Sequence, residues 1–152
     1  MDDPEVAHLS FSSWQIIGSP PPGTVSALAL TSGVTSTLFA GTRTGLYRNL
    51  APTQDETWQR LPKAPLEILA LGLSPNFAND HTLFAGTGTG LFVSHDGGEH
   101  WLAPSTPLPD PVILCLSLSP NYATDGIVVA GTLEEGVYFS DSRGAVWSAR
   151  TV

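Results

Sequence analysis

Residues 81–101, HTLFAGTGTGLFVSHDGGEHW, hold the two stretches of this chain whose residue types and spacing suggest chemistry. GTGTG, residues 86–90, has the glycine spacing of a loop that cradles phosphate when it leads from a strand into a helix N-terminus. HDGGEH, His95–His100, sets two carboxylates and two imidazoles within one short segment, and these are ligand types of a zinc site. Further along, Asp110, Glu134 and Glu135 offer groups for acid–base work, and Arg43 offers a fork for an anion.

Each of these readings depends on the elements that carry the residues. GTGTG lies between two apolar runs of strand type, so strand leads to strand and the glycines belong to a hairpin turn. The two histidines lie in adjacent turn positions and have no counterparts elsewhere in the chain, which favours a turn over a metal centre; no metal or other cofactor is expected. The stronger signal is internal repetition: STLFAGTRTGLYRNL, HTLFAGTGTGLFVSH and GIVVAGTLEEGVYFSD align with Phe39, Phe84 and Val129 spaced 45 residues apart. An alternating run precedes each copy (VSALAL, ILALGLS, ILCLSLS) and a tryptophan follows each (Trp58, Trp101, Trp147). Leu69, Leu71 and Leu73 alternate with Ala70 and Gly72, which predicts a strand with large residues on one face and small ones on the other. The reading is all-β: three four-stranded antiparallel blades of a propeller. The blades are expected at 25–62, 66–105 and 112–152. They follow an N-terminal segment, 1–24, with a lone outer strand at 8–17 and a proline-rich linker.

Ser94–Trp101, SHDGGEHW, resembles the Asp-box, S-x-D-x-G-x-x-W, of the BNR-repeat propellers found in sialidases, sortilin-like receptors and photosystem assembly factors. Ser94, Asp96, Gly98 and Trp101 complete the pattern. In the third copy Ser140, Gly144 and Trp147 stand in place, with Ser142 instead of Asp; in the first only Trp58 is secure. The resemblance implies a structural role for the box, at the turn between the third and fourth strands. Asp96 is expected to take up backbone N–H groups and Gly98 to adopt a positive φ. The recurring SPNFAND and SPNYATD, residues 74–80 and 119–125, read as turns stapled to their blades by Phe77 and Tyr122.

Charge narrows the partners. Fourteen carboxylates against six scattered basic residues give a formal charge of −8, which argues against nucleic acid or an anionic membrane. The single cysteine, Cys115, sits in an apolar run and is expected to be buried as a small hydrophobe. The N-terminus is acidic where a secretory signal would be basic and then apolar. The chain is therefore expected to be cytoplasmic if that N-terminus is native, and extracytoplasmic if it has been processed.

On one face the hairpin turns meet the linkers between blades, and the ligand-face candidates gather there: Thr42, Arg43, Thr44, Glu67, Thr87, Thr89, Asp110, Glu134 and Glu135. A sialidase would need an arginine cluster and a tyrosine nucleophile, and other glycosidases a fixed carboxylate pair. Only Arg43 faces the expected way and nothing fixes a pair, so no catalytic residue is assigned. The expected function is a non-enzymatic interaction scaffold with a protein or glycan ligand. The alternatives are a lectin-like propeller and a fragment of a larger BNR-repeat glycoside hydrolase. Closed propellers take about four to eight blades. Three would leave apolar faces open, so a homo-oligomeric ring is expected, a six-bladed dimer being favoured and a trimer being the larger option.

Overall fold

A computed structural model of the chain describes residues 23–33, 36–50 and 57–150. The lone strand expected at 8–17 lies outside them. The first sheet runs in order through β1 (Val25–Leu30), β2 (Leu38–Thr42), β3 (Gly45–Asn49) and β4 (Gln59–Leu61). The second contains β5 (Ile68–Leu73), β6 (Leu83–Thr87) and β7 (Leu91–Ser94), and the third β8 (Ile113–Leu118), β9 (Val128–Thr132), β10 (Val137–Ser140) and β11 (Ser148–Arg150). All neighbouring strands are antiparallel, and β1, β5 and β8 pack successively against one another as the innermost strands.

The fourth position of the second blade is reduced to one residue. Leu102 exchanges two backbone hydrogen bonds with Val93, at 2.8 and 2.9 Å, and no named strand extends from there. Pro104 follows two residues later, and a proline has no N–H with which to lengthen the ladder. Two single helical turns, α1 (Phe77–Asp80) and α2 (Tyr122–Asp125), form within the SPNFAND and SPNYATD loops. One turn is too short to leave a periodic signature. Ser74 donates to Asp80 and Ser119 to Asp125, both at 2.6 Å, so the two loops share one internal network.

Each innermost strand carries a bulge at the same place: between Val25 and Ala27, Ile68 and Ala70, and Ile113 and Cys115. The extra residue reverses the alternation. Ile68 opposes Thr87 while Ala70 opposes the adjacent Gly86, so Ile68, not Leu69, shares a face with Leu71 and Leu73. That face packs on the first blade, where a Cβ on Gly41 would lie 2.5 Å from Ile68 Cγ2. The opposite face is small: a Cβ on Gly72 would lie 2.7 Å from Leu118 Cδ1, and one on Gly86 2.6 Å from Ile113 Cγ2, both on the third blade. Large residues of one blade thus enter the small face of the blade before it.

The core accordingly lies between sheets, in two layers. Phe39, Leu46 and Leu61 of the first blade meet Ile68, Leu71, Leu73 and Phe77 of the second. Phe84, Leu91 and Val93 of the second meet Ile113, Leu116, Leu118 and Tyr122 of the third. Phe77 and Tyr122 therefore staple their loops to the preceding blade, not to their own. Cys115 corrects the sequence reading: it is exposed, because its face of β8 points away from the second blade.

Candidate functional site

The hairpin turns are built from their own threonines. Thr87 Oγ1 donates to Gly90 O at 2.8 Å and accepts from Thr89 N at 3.1 Å. Thr42 repeats this with Gly45 O at 3.0 Å and Thr44 N at 3.1 Å, and Thr132 donates to Gly136 O at 3.1 Å. Thr42 and Thr87 are fully buried, with these hydroxyl contacts directed into the turn. GTGTG is thus a closed hairpin between β6 and β7, with no helix behind it to receive phosphate.

The SHDGGEHW turn is an equally closed network. Asp96 Oδ1 accepts from the backbone N–H groups of Glu99 and His100, at 3.1 and 2.9 Å, and from Ser94 Oγ at 2.8 Å. Gly98 N donates to Ser94 Oγ at 2.8 Å, and Trp101 Nε1 to Gly98 O at 3.0 Å. The backbone N–H of His100, then its ring and Ser94, hold the Asp96 carboxyl far below the usual carboxylate range. The third copy keeps the frame: Gly144 N donates to Ser140 Oγ at 3.0 Å and Trp147 Nε1 to Gly144 O at 2.9 Å. There Ser142 Oγ accepts from Val146 N at 2.9 Å, doing with one hydroxyl part of what Asp96 does with a carboxylate. Gly98 has φ 95°, and a Cβ on it would lie 2.7 Å from Leu61 Cδ1 of the first blade. The turn is thereby pressed against its neighbour.

The two histidines of this turn separate. His95 meets Thr82 Oγ1 at 3.1 Å, whereas His100 bridges Asp96 Oδ2 at 2.8 Å and Lys63 Nζ at 2.7 Å. A lysine ammonium has only donors, so His100 Nε2 accepts from it and Nδ1–H donates to Asp96. Among the described residues no three histidine, cysteine or acidic side chains are placed to hold a metal.

The remaining candidates divide between the two seams. At the second seam Asp110 caps the backbone, accepting from Val112 N at 2.9 Å and Glu134 N at 2.7 Å. Those bonds, Glu134 first, lower its carboxyl below the ordinary value. Glu134 and Glu135 are exposed beside it. At the first seam Arg43, Glu67 and Thr89 come together around a cleft of about 570 Å³. Arg43 Nε stands 4.0 Å from Glu67 Oε1, and Glu67 N donates to Arg43 O at 3.0 Å. Thr44 is not among its walls: its hydroxyl meets Tyr47 Oη at 3.2 Å and its carbonyl accepts from Arg60 Nη2 at 3.0 Å. The cleft also has walls that the sequence reading did not place on the ligand face: Lys63, Leu66, Phe92 and Trp101, the last read there only as part of the Asp-box. Lys63 sits in the linker PKAPLE, but its approach to His100 spans 37 residues and has no local signature. A second cavity of about 340 Å³ opens on the other side of Arg43 and Glu67, against Thr24, Ser26 and Ile68.

No protein-family model matches the chain, and no curated protein does. Solved structures do match. YCF48 bound to a D1 peptide aligns with a TM-score of 0.66 at 17% identity, covering 93% of this chain and 45% of that one. The chain is a set of β-propeller blades. The GH74 enzyme of Niastella koreensis aligns at 0.61 and 21% identity over 82% of this chain and 22% of its own. The extracellular domain of a hybrid two-component system from B. thetaiotaomicron aligns at 0.61 and 16% identity, over 81% and 15%. These propellers are similar to the chain in fold, and the chain spans less than half the length of each.

Proposed function

We propose that the chain is a non-enzymatic propeller scaffold whose three blades close a ring with those of a second copy, and that SHDGGEHW is an Asp-box serving the seams of that ring. The observation that carries the reading is the state of the two outer faces. Val25, Leu28 and Leu30 occupy the register positions of Ile68, Leu71 and Leu73, yet they are 38%, 63% and 60% exposed, where Ile68 is 1% exposed. At the other end Val137, 42% exposed, stands where Leu46 and Leu91 are buried beneath the next blade. Gly131 and Cys115 beside it form the small-residue surface that Gly41 with Ala27, and Gly86 with Ala70, offer at the two internal seams. One end is thus a set of large side chains without a socket, and the other is a socket of the same design. Covering each exposed leucine would contribute on the order of 1–2 kcal/mol.

Head-to-tail contact of this kind is heterologous and closes when the rotation fits. Two copies give six blades, within the usual range, and the YCF48 chain, of which this one covers 45%, is about twice as long. Light scattering across a dilution series is the test: the expected mass is twice the 16.0 kDa of the chain. Leu28→Asp, at a site that is exposed within one chain, should give a folded monomer by circular dichroism. A wild-type protein that is folded and monomeric at every concentration would overturn the ring.

A further inference from the structure

The cleft at the seam of the first and second blades lies within one chain, so what it binds is independent of ring closure. We propose that it is a site for an acidic saccharide, a sugar unit bearing a carboxylate. Three observations converge there. The first is charge: in a chain of net charge −8 with six basic residues, two of the six, Arg43 and Lys63, line this one cleft. Arg43 is held loosely, its side chain 87% exposed and its nearest carboxylate at the 4.0 Å limit of an ion pair, so its donor fork is open to a ligand carboxylate. Lys63 is steadied by His100, which Asp96 fixes in turn, and two of its three donors remain for a ligand.

The second observation is the wall. Trp101 and Phe92 bring two aromatic side chains to the cleft, with Leu66, 56% exposed, at its side. A pyranose has the matching surfaces, a face of C–H groups for aromatic contact and hydroxyls at its edge. Glu67 and Thr89, both in the lining, carry groups able to hydrogen-bond such hydroxyls. A volume of about 570 Å³ falls within the range of small-molecule sites, about 300–1,000 Å³.

The third is backbone strain in the linker of this seam, which the linker of the second seam lacks. Glu67 has φ 53°, a left-handed conformation costly for a residue with a Cβ, whereas Val112, its counterpart at the second seam, does not have a positive φ. The strain accompanies the Glu67 N–H to Arg43 carbonyl bond that ties linker to hairpin beside the cleft. A peptide ligand is less well served. Extended peptides draw on main-chain pairing at a sheet edge, and at the edge of β7, four residues long, Val93 already exchanges both its bonds with Leu102.

The experiment is a titration of the full chain with trigalacturonate, maltotriose and a hexaglutamate peptide, read by calorimetry and by tryptophan fluorescence. Trigalacturonate is expected to bind, to perturb the fluorescence and to weaken as salt rises. Maltotriose and the peptide should bind at least about tenfold more weakly, a difference equivalent to one decade in Kd. Arg43→Ala and Lys63→Ala, checked for folding by circular dichroism, should each lower trigalacturonate affinity by about tenfold or more. The proposal is overturned if trigalacturonate fails to bind, if maltotriose or hexaglutamate binds equally well, or if folded Arg43→Ala binds as the wild type does. Because the cleft is intact in a single chain, the Leu28→Asp monomer should bind equally, which separates this result from that of ring assembly.

Discussion

The ring of Tyr122 stands edge-on to that of Phe84, their centroids 6.1 Å apart and their planes at 88°. Phe77 and Phe39 repeat the arrangement one seam earlier, at 5.6 Å and 71°. The two differ by one oxygen: Tyr122 is buried, its hydroxyl has no hydrogen-bond partner among the described residues, and burial raises its pKa against the opposing pull of the Arg143 guanidinium. The Arg143 guanidinium lies over the ring, 5.5 Å from its centroid. A buried hydroxyl without a partner is a cost that phenylalanine does not carry. Tyr122→Phe is therefore expected to raise stability by about 1 kcal/mol, measured by urea unfolding. A loss of stability would show that the hydroxyl is satisfied.

Asp96 links the box to acidity. Its folded carboxyl is lowered by the hydrogen bonds it accepts, so its contribution is fully present above the unfolded pKa of about 3.9 and is lost as pH falls through the folded value. Asp96→Ala should lower the melting temperature at pH 7, and the gap from wild type should narrow as pH drops below about 4. Melting curves at a series of pH values decide it. A gap that stays constant into acid would mean that the carboxylate's charge has no part in holding the turn.

Cys115 serves as a reporter for the ring. It is exposed on the outer face of the third blade, the face that a second copy would cover. A thiol reagent should modify it at least about tenfold more slowly in wild-type protein above the assembly concentration than in the Leu28→Asp monomer, since covered thiols react only when the cover opens. Equal rates would place the contact between copies elsewhere.

Much of the architecture was legible because the strands are short, alternating and repeated at one spacing, and because each turn carries its own instructions in Gly, Asp, Ser and Thr. What escaped was whatever depends on a neighbouring blade. The alternation of Leu69, Leu71 and Leu73 is real in sequence, but the bulge sets Ile68 in the seam and displaces Leu69. Cys115 lies in an apolar run, yet it is exposed because it sits on the face of β8 turned away from the second blade. Phe77 and Tyr122 were recognised as staples, but their partners 38 residues earlier, Phe39 and Phe84, belong to the preceding blade. Of the candidate site, Arg43, Glu67 and Thr89 could be placed on one face from loop order alone. Lys63, Phe92 and Trp101 join them only through the packing of one sheet on the next.

The hairpin between β9 and β10 is one residue longer than that between β6 and β7, and nothing beneath it moves. Thr132 N reaches Gly136 O at 2.9 Å as Thr87 N reaches Gly90 O, and Gly131 still opposes Val137 as Gly86 opposes Leu91. The added length lies at Leu133–Glu135, beyond the last paired residues, with exposed side chains and with Leu133 N and Glu134 N tied to Val112 O and Asp110 Oδ2 of the linker. Register below a turn of this kind is indifferent to what the turn contains, so these hairpins are where the chain can gain sequence without refolding. A foreign epitope spliced between Glu135 and Gly136 would leave the Leu133 and Glu134 bonds to the linker in place and be displayed on that face by a blade whose strands keep their pairing.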